Sequence, residues 1–315
     1  MEKDSSSKIT VVSGGDDCLF AKIEVELNEN SKSKITEKKS IYTNESGREF
    51  INDILLSKKD KTKAILGVSG SIDRTDGIKF VNLETMTIEK SIETGEFQTY
   101  CNIFLNDEKE LVSSHFRLIQ IWDSKDFSLL KKIPITNEKN KALRFIYPFN
   151  DQLIVGSNNG IVSVVNLSDS NVQDIVLHNN GIMNMKTLDF YGGKLTTSSL
   201  DETLKIWNSD FTVNDKLEIG ENSFFLTLSN FKHMMVVADY GKGPRSSLWD
   251  LRTKTKIASF ESEDSKFSYC IELKPGYILM GGVGFELYKV DEKSAKVVSN
   301  RHVSNTSLVY KVEVL

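Results

Sequence analysis

The chain has 315 residues, 39% of them hydrophobic and 27% charged, and its 40 basic and 44 acidic side chains leave a net charge of −4. That balance excludes a disordered polymer, and lysines spread along the whole chain argue against the basic stripe of a nucleic-acid binder. No stretch approaches the roughly 18 apolar residues of a membrane span, and the opening MEKDSSSKIT lacks the apolar core of a signal peptide.

Three scattered cysteines, Cys18, Cys101 and Cys270, form no CxxC pair and point to neither a disulfide framework nor a zinc site. An intracellular protein, cytoplasmic or nuclear, is therefore expected, with no cofactor and no metal.

In chain order, the apolar pattern predicts strands at Ile9–Ser13 and Leu19–Ile23, followed by NENSKSKITEKKS, which reads as a loop or a ragged outer strand. The next runs share one pattern, an apolar strand whose last large residue is followed by a polar one. They are Ile78, Phe80, Val81 and Asn82; Ile119, Ile121, Trp122 and Asp123; Val162, Val164, Val165 and Asn166; LKIWN ending at Trp207 and Asn208; and Leu248, Trp249 and Asp250. A last copy, Phe285, Leu287 and Tyr288, carries Lys289 in the polar position.

Anchored at residues 81, 122, 165, 207, 249 and 288, the spacings are 41, 43, 42, 42 and 39. A period near 42 with short alternating runs is the signature of a propeller blade of four antiparallel strands. In the period ending at Trp122, YCNIFL, ELVSS, RLIQIW and SLLKKI supply the four strands. A degenerate first copy at Ala21, Ile23 and Glu24 lies 57 residues before Val81, and the excess falls in the Ser/Lys-rich segment.

Seven anchors predict an all-β, seven-bladed propeller occupying residues 1–315 as one domain. The 27 residues after Tyr288 suffice for an outer strand near Ala295–Ser299 and one more strand, Leu308–Leu315. That last strand is expected to pair beside the N-terminal strands and close the ring, because an open fan would leave long unpaired edges.

From His178 to Asn208 most clearly, and more loosely throughout, the chain resembles the WD-repeat β-propeller family. The resemblance implies a hydrogen-bonded set that locks a blade: a His before the innermost strand, a Ser or Thr on the second, an Asp in the following turn, and the Trp. His178, Thr197, Asp201 and Trp207 fall at those positions. Physically, such a set leaves no buried polar group unpaired. Phe116 replaces the turn Asp in the third blade, Asn159 replaces it in the fourth, and DYGKGPRSS enlarges the turn of the sixth. Apolar packing between sheets is expected to hold most blades.

Catalytic chemistry is not indicated. His115, His178, His233 and His302 have no partners at metal or triad spacing. VSGGDDC and LMGGVGF lack the spacing of a phosphate loop, and Asp16, Asp17 and Asp73–Asp76 do not form a calcium loop. The predicted function is a non-enzymatic scaffold for other proteins or peptide segments, with nucleic acid and membranes disfavoured as partners. It is expected to be a monomeric propeller, alone or within a larger complex.

Loops entering the innermost strands and turns between second and third strands surround one channel mouth. There, Phe97, Arg117, Arg144, Phe224, Tyr240, Arg245 and Phe267 are the candidate contacts, since aromatics and Arg anchor interfaces. Trp249–Arg252 resembles the Trp-Asp-x-Arg box by which some WD-repeat proteins dock on the adaptor of cullin-type ubiquitin ligases, so the alternative is a ligase substrate receptor. A propeller enzyme with a site in the channel is the third reading.

Overall fold

Apolar residues alternating with polar ones over short runs give strands, and the Asn, Asp and Ser residues between them give turns. The computed structural model describes residues 7–28, 32–43, 49–70, 76–96, 98–135, 142–149, 151–219, 226–231, 233–239, 246–260, 267–299 and 308–315.

Blade 1 takes β1 (Ser7–Gly15), β2 (Leu19–Leu27) and β3 (Lys34–Tyr42), and blade 2 takes β4 (Phe50–Leu56), β5 (Lys63–Ser69), β6 (Asp76–Asn82) and β7 (Thr87–Glu93). Blade 3 comprises β8 (Cys101–Leu105), β9 (Glu110–Ser114), β10 (Leu118–Asp123) and β11 (Leu129–Pro134), and blade 4 β12 (Leu143–Phe149), β13 (Gln152–Ser157), β14 (Ile161–Asn166) and β15 (Val172–Val176). Blade 5 comprises β16 (Ile182–Leu188), β17 (Lys194–Ser199), β18 (Thr203–Trp207) and β19 (Val213–Glu218). Blade 6 holds β20 (Leu226–Phe231), β21 (Met234–Asp239), β22 (Ser247–Asp250) and β23 (Thr255–Ser259), and blade 7 β24 (Phe267–Lys274), β25 (Tyr277–Gly282), β26 (Gly284–Val290) and β27 (Ala295–Val297).

The last strand, β28 (Val309–Val314), runs antiparallel to β1, with Val11 opposite Val314 and Ser13 opposite Val312. Blade 1 thus has the order β28-β1-β2-β3, and the other six run in chain order. The fold is a seven-bladed β-propeller, closed as the sequence predicts.

Two compact units divide the chain. The first is Met1–Gly47, Leu188–Gly193 and Gly220–Leu315; the second is Arg48–Thr187 and Lys194–Ile219. In the first unit, Val11, Ile23 and Val25 pack with Leu279, Phe285, Leu287, Val309 and Val312 in one buried cluster. A second cluster joins Val236, Leu248 and Phe260 to Ile278, Met280 and Tyr288. In the second unit, Ile78 and Phe80 meet Trp122, Ile121 and Ile133 meet Leu153 and Val155, and Val162 and Val164 meet Trp207. The anchor aromatic of one blade therefore fills the wedge against the preceding sheet, where its area brings the largest gain from burial.

The Ser/Lys-rich segment contributes an outer strand. Its second half lies in the nine-residue β3, paired with β2 from Leu19–Tyr42 to Glu26–Lys34 with one register shift between Lys22 and Ile23. The extra length has a visible use: Ser33 N–H donates to Val298 O at 2.8 Å, and Ser33 bridges in parallel to Ser299 beyond β27. The connection is thereby tied to the outer edge of blade 7.

In blades 2, 3, 4 and 6 the polar residue after the anchor is explained by the turn that follows it. Asn82 Oδ1 accepts from the N–H groups of Glu84 and Thr85, Asp123 Oδ1 from Lys125, Asn166 Oδ1 from Ser168, and Asp250 Oδ1 from Arg252. In blade 7, where Lys289 cannot accept, the role passes to Asp291, which takes the N–H groups of Lys293 and Ser294. The hairpins of blades 2, 3, 4 and 6 each also carry one left-handed residue, Met86, Phe127, Ser170 or Lys254, with φ between 54° and 63°. A side-chain acceptor followed by a left-handed residue closes the hairpin without glycine.

Glycine is required at the seam. A Cβ on Gly15 would strike the Leu308 carbonyl where β28 shifts register against β1.

Closure predicts an asymmetric response in the last strand. Val312→Asp places an unpaired charge in the first unit's core and is expected to lower stability by more than about 3 kcal/mol in urea unfolding. Leu315→Asp, at a residue 42% exposed, should change it by no more than about 0.5 kcal/mol.

Candidate functional site

In the second unit, the loops that enter β8, β12 and β16 lie at the same sheet ends as the turns joining second to third strands, because each blade is antiparallel throughout. Buried polar side chains underlie this loop face.

In blade 5, His178 Nδ1 lies 3.0 Å from Asp201 Oδ2, His178 Nε2 lies 2.7 Å from Thr197 Oγ1, and the Trp207 indole N–H donates to the same Oγ1 at 2.7 Å. A carboxylate only accepts, so Nδ1 carries the proton and Nε2 accepts from the Thr197 hydroxyl. Thr203 Oγ1 and the Asn179 N–H also donate to Asp201, at 2.6 and 3.0 Å. Burial works to raise the pKa of Asp201, yet these donors hold its carboxyl below the usual carboxylate range. Burial pushes the His178 imidazole down to about 4, against the pull of Asp201.

Blade 3 contains a second set that sequence reading missed. The Trp122 indole N–H donates to Ser113 Oγ at 2.9 Å, Ser113 Oγ lies 2.8 Å from His115 Nε2, and His115 Nδ1 lies 3.0 Å from the Gln98 carbonyl. The backbone carbonyl does what Asp201 does in blade 5, so the turn position can be Phe116 without leaving the imidazole unpaired. Here the histidine comes from the end of β9 instead of the loop before the first strand, which hides the set from any fixed spacing. Burial pushes His115 down to about 4 as well.

A shortened form serves blades 6 and 7. The Trp249 N–H donates to Ser247 at 2.7 Å, and the Tyr288 hydroxyl donates to Glu286 at 2.8 Å. These acceptors sit two residues before the anchor, at a position that is polar in every blade. In blade 2 it is Lys79, 4% exposed and bound to buried Glu49 at 2.7 and 2.9 Å. In blades 3 and 5, Gln120 and Lys205 instead reach the Thr94 and Leu177 carbonyls, at 2.9 and 2.8 Å.

The candidate contacts divide. Phe97, Phe224, Tyr240 and Arg245 lie outside the described residues. Phe267 is a correction: it is 5% exposed and stands edge-on to Tyr288 at 6.0 Å in the first unit's core. Its ring pays for packing, and no surface remains for a partner.

Arg117 sits on the tight turn after β9 with φ of 60°, its guanidinium 5.6 Å from the Phe116 ring. Phe116 itself, absent from the expected contacts, is 50% exposed and bridges backbone to backbone with Ala142. Its signal in the sequence was the missing turn Asp. Arg144 occupies the β12 bulge between Leu143 and Phe145, close enough to Tyr100 to oppose the rise that burial imposes on the phenol. Arg252 is far along the chain, in the β22–β23 hairpin, where Nη2 meets Asp250 Oδ2 at 2.7 Å and Nε meets Oδ1 at 3.1 Å. Among the described residues, no three His, Cys, Asp or Glu side chains gather as a metal site would need.

No protein-family model and no curated protein matches the sequence. Among solved structures, the C-terminal WD40 domain of Sif2 aligns over 96% of this chain and 85% of that one, with a TM-score of 0.66 and 11% identity. The computationally designed Ika8 protein aligns over 96% and 90%, with a TM-score of 0.61 and 13% identity. The chain has a WD40-like β-propeller fold.

Two outcomes follow from the polar sets. Thr197→Val and Ser113→Ala each strand an indole N–H and an imidazole nitrogen, and each is expected to lower unfolding free energy by about 2 kcal/mol in urea melts. Both imidazoles are held neutral when folded and bind protons near pH 6.5 when unfolded. Their contribution is therefore complete above about pH 6.5 and fades as the pH falls toward the folded value of about 4. In an NMR titration, two of the four histidines should show no protonation at about pH 5.5, while the urea midpoint declines across that window.

Proposed function

We propose that the protein is a non-enzymatic interaction module that holds peptide segments or other protein subunits on the loop face of blades 3 to 5. The observation that carries this reading is Phe116: a half-exposed aromatic ring at the tip of a rigid turn, backed by the Arg117 guanidinium. Aromatic and Arg pairs on a rigid frame are the residue types that dominate interface energies, and the polar sets below keep that frame fixed. WD40-like propellers are a fold on which interaction sites recur, and a site must still be argued from its own residues.

The proposal places the protein inside the cell, in cytoplasm or nucleus. Support comes from Cys18, Cys101 and Cys270, all unpaired. The ligase-receptor alternative gains no support from Arg252, whose guanidinium is already held by Asp250 two residues away. An enzyme reading likewise has no cluster of groups in its favour among the described residues.

Affinity purification from the source cells, with wild type and Phe116→Ser compared quantitatively, tests the reading. Proteins retained by wild type and lost from a folded Phe116→Ser variant are the expected result. Identical sets from both baits would overturn it.

A further inference from the structure

Among the described residues of blades 3 and 4, Asn102, Gln120 and Arg144 each bury a side-chain polar atom without a partner, and Arg144 is the charged one. Arginine is always charged and offers five N–H donors. Among the described residues Arg144 forms no hydrogen bond and no ion pair, and its Nε is buried without a partner. Two other basic groups near this face are engaged, Lys205 with the Leu177 carbonyl and Lys79 with Glu49.

The local backbone accounts for the position. At the β12 bulge the register passes from Leu143–Ser157 to Phe145–Gly156, leaving Arg144 unpaired between them. Leu143 packs with Ile121 and Ile133 of blade 3, and Phe145 packs with the blade 4 to blade 5 cluster. The bulge thus re-aims Arg144 away from either packed face, as bulges near sites do. It lies beside Tyr100, whose hydroxyl donates to Gln98 Oε1. A buried unsatisfied donor is destabilising, and a charged one more so, so this arrangement lowers stability unless an anion completes it.

We infer that Arg144 is the anion-recognising residue of the loop face, taking an acidic side chain of a bound peptide segment into a paired, charge-assisted hydrogen bond with its guanidinium. The inference rests on the interaction reading above and specifies its partner: an extended peptide presenting a carboxylate, or a phosphate in its place, beside an apolar residue for Phe116. Arg144 sets charge preference, and Phe116 supplies contact area.

Random-sequence peptides displayed on phage, selected on the full chain, are the probe. Recovered peptides should be enriched in Asp and Glu and should bind Arg144→Gln at least about tenfold more weakly. Replacing the critical Glu of the peptide by Gln should cost the same factor on wild type and nothing further on Arg144→Gln. The same peptide with phosphoserine at that position tells carboxylate from phosphate, and tighter binding of either anion than of the Gln version agrees with the inference.

Arg144→Gln should melt at or slightly above the wild-type temperature, since it removes an unpartnered donor. A drop of more than about 5 °C would make Arg144 structural and overturn the idea. So would neutral peptides whose affinity ignores Arg144→Gln; if those still require Phe116, the interaction reading survives. Recovery of no peptide at all would overturn both.

Discussion

Within each unit, neighbouring four-stranded sheets cover one another's apolar faces, and in three of these contacts the covering residue is the large side chain near the end of the third strand. Trp122, Trp207 and Tyr288 each fill the wedge against the preceding blade. A large aromatic excludes the most water there, but an indole or phenol brings one donor that cannot be left dry. The buried hydroxyls and carboxylate that receive those donors, Ser113, Thr197, Ser247 and Glu286, are consequences of choosing an aromatic for the wedge. Where the anchor is Val81 or Val165, no donor is buried and no such acceptor is needed.

Once a hydroxyl is in place, its remaining valence must be met in turn. His115 and His178 do this with the same tautomer, one nitrogen accepting from the hydroxyl and the other donating outward to the Gln98 carbonyl or to Asp201. Neutral imidazole is the form that fits, and burial favours it. The two blades differ in which residue supplies the final acceptor, while the chain of valences is identical. Turn sequence can therefore drift, as Phe116 shows, without loosening the sheet beneath it.

That tolerance is what allows a loop face to carry exposed chemistry. Phe116 stands where an Asp would have been absorbed into the frame, and Arg144 stands on a bulge where neither sheet face claims it. Both are poorly accommodated by the folded chain alone, one by exposure of a ring and the other by an unpaired guanidinium. Residues that a fold leaves unsatisfied on a rigid support are where recognition is cheapest to build, because little further ordering is needed on binding.

The sequence by itself determined the number of blades, the strand pattern and the closing role of Leu308–Leu315. Each follows from local alternation and a period near 42, and the edge left by an open fan admits one remedy. It also contained the blade 5 set, because His178, Thr197, Asp201 and Trp207 fall at the spacing the WD-repeat resemblance implies. Tertiary structure alone decided what depends on distances between residues remote in the chain or on backbone atoms that have no letter in a sequence. The Gln98 carbonyl that completes the His115 set, the tie from Ser33 to Val298, the burial of Phe267 and the bulge that frees Arg144 are of this kind. A carbonyl reads the same beneath any residue, and a side chain's exposure is set by the neighbouring sheet rather than by the residue itself.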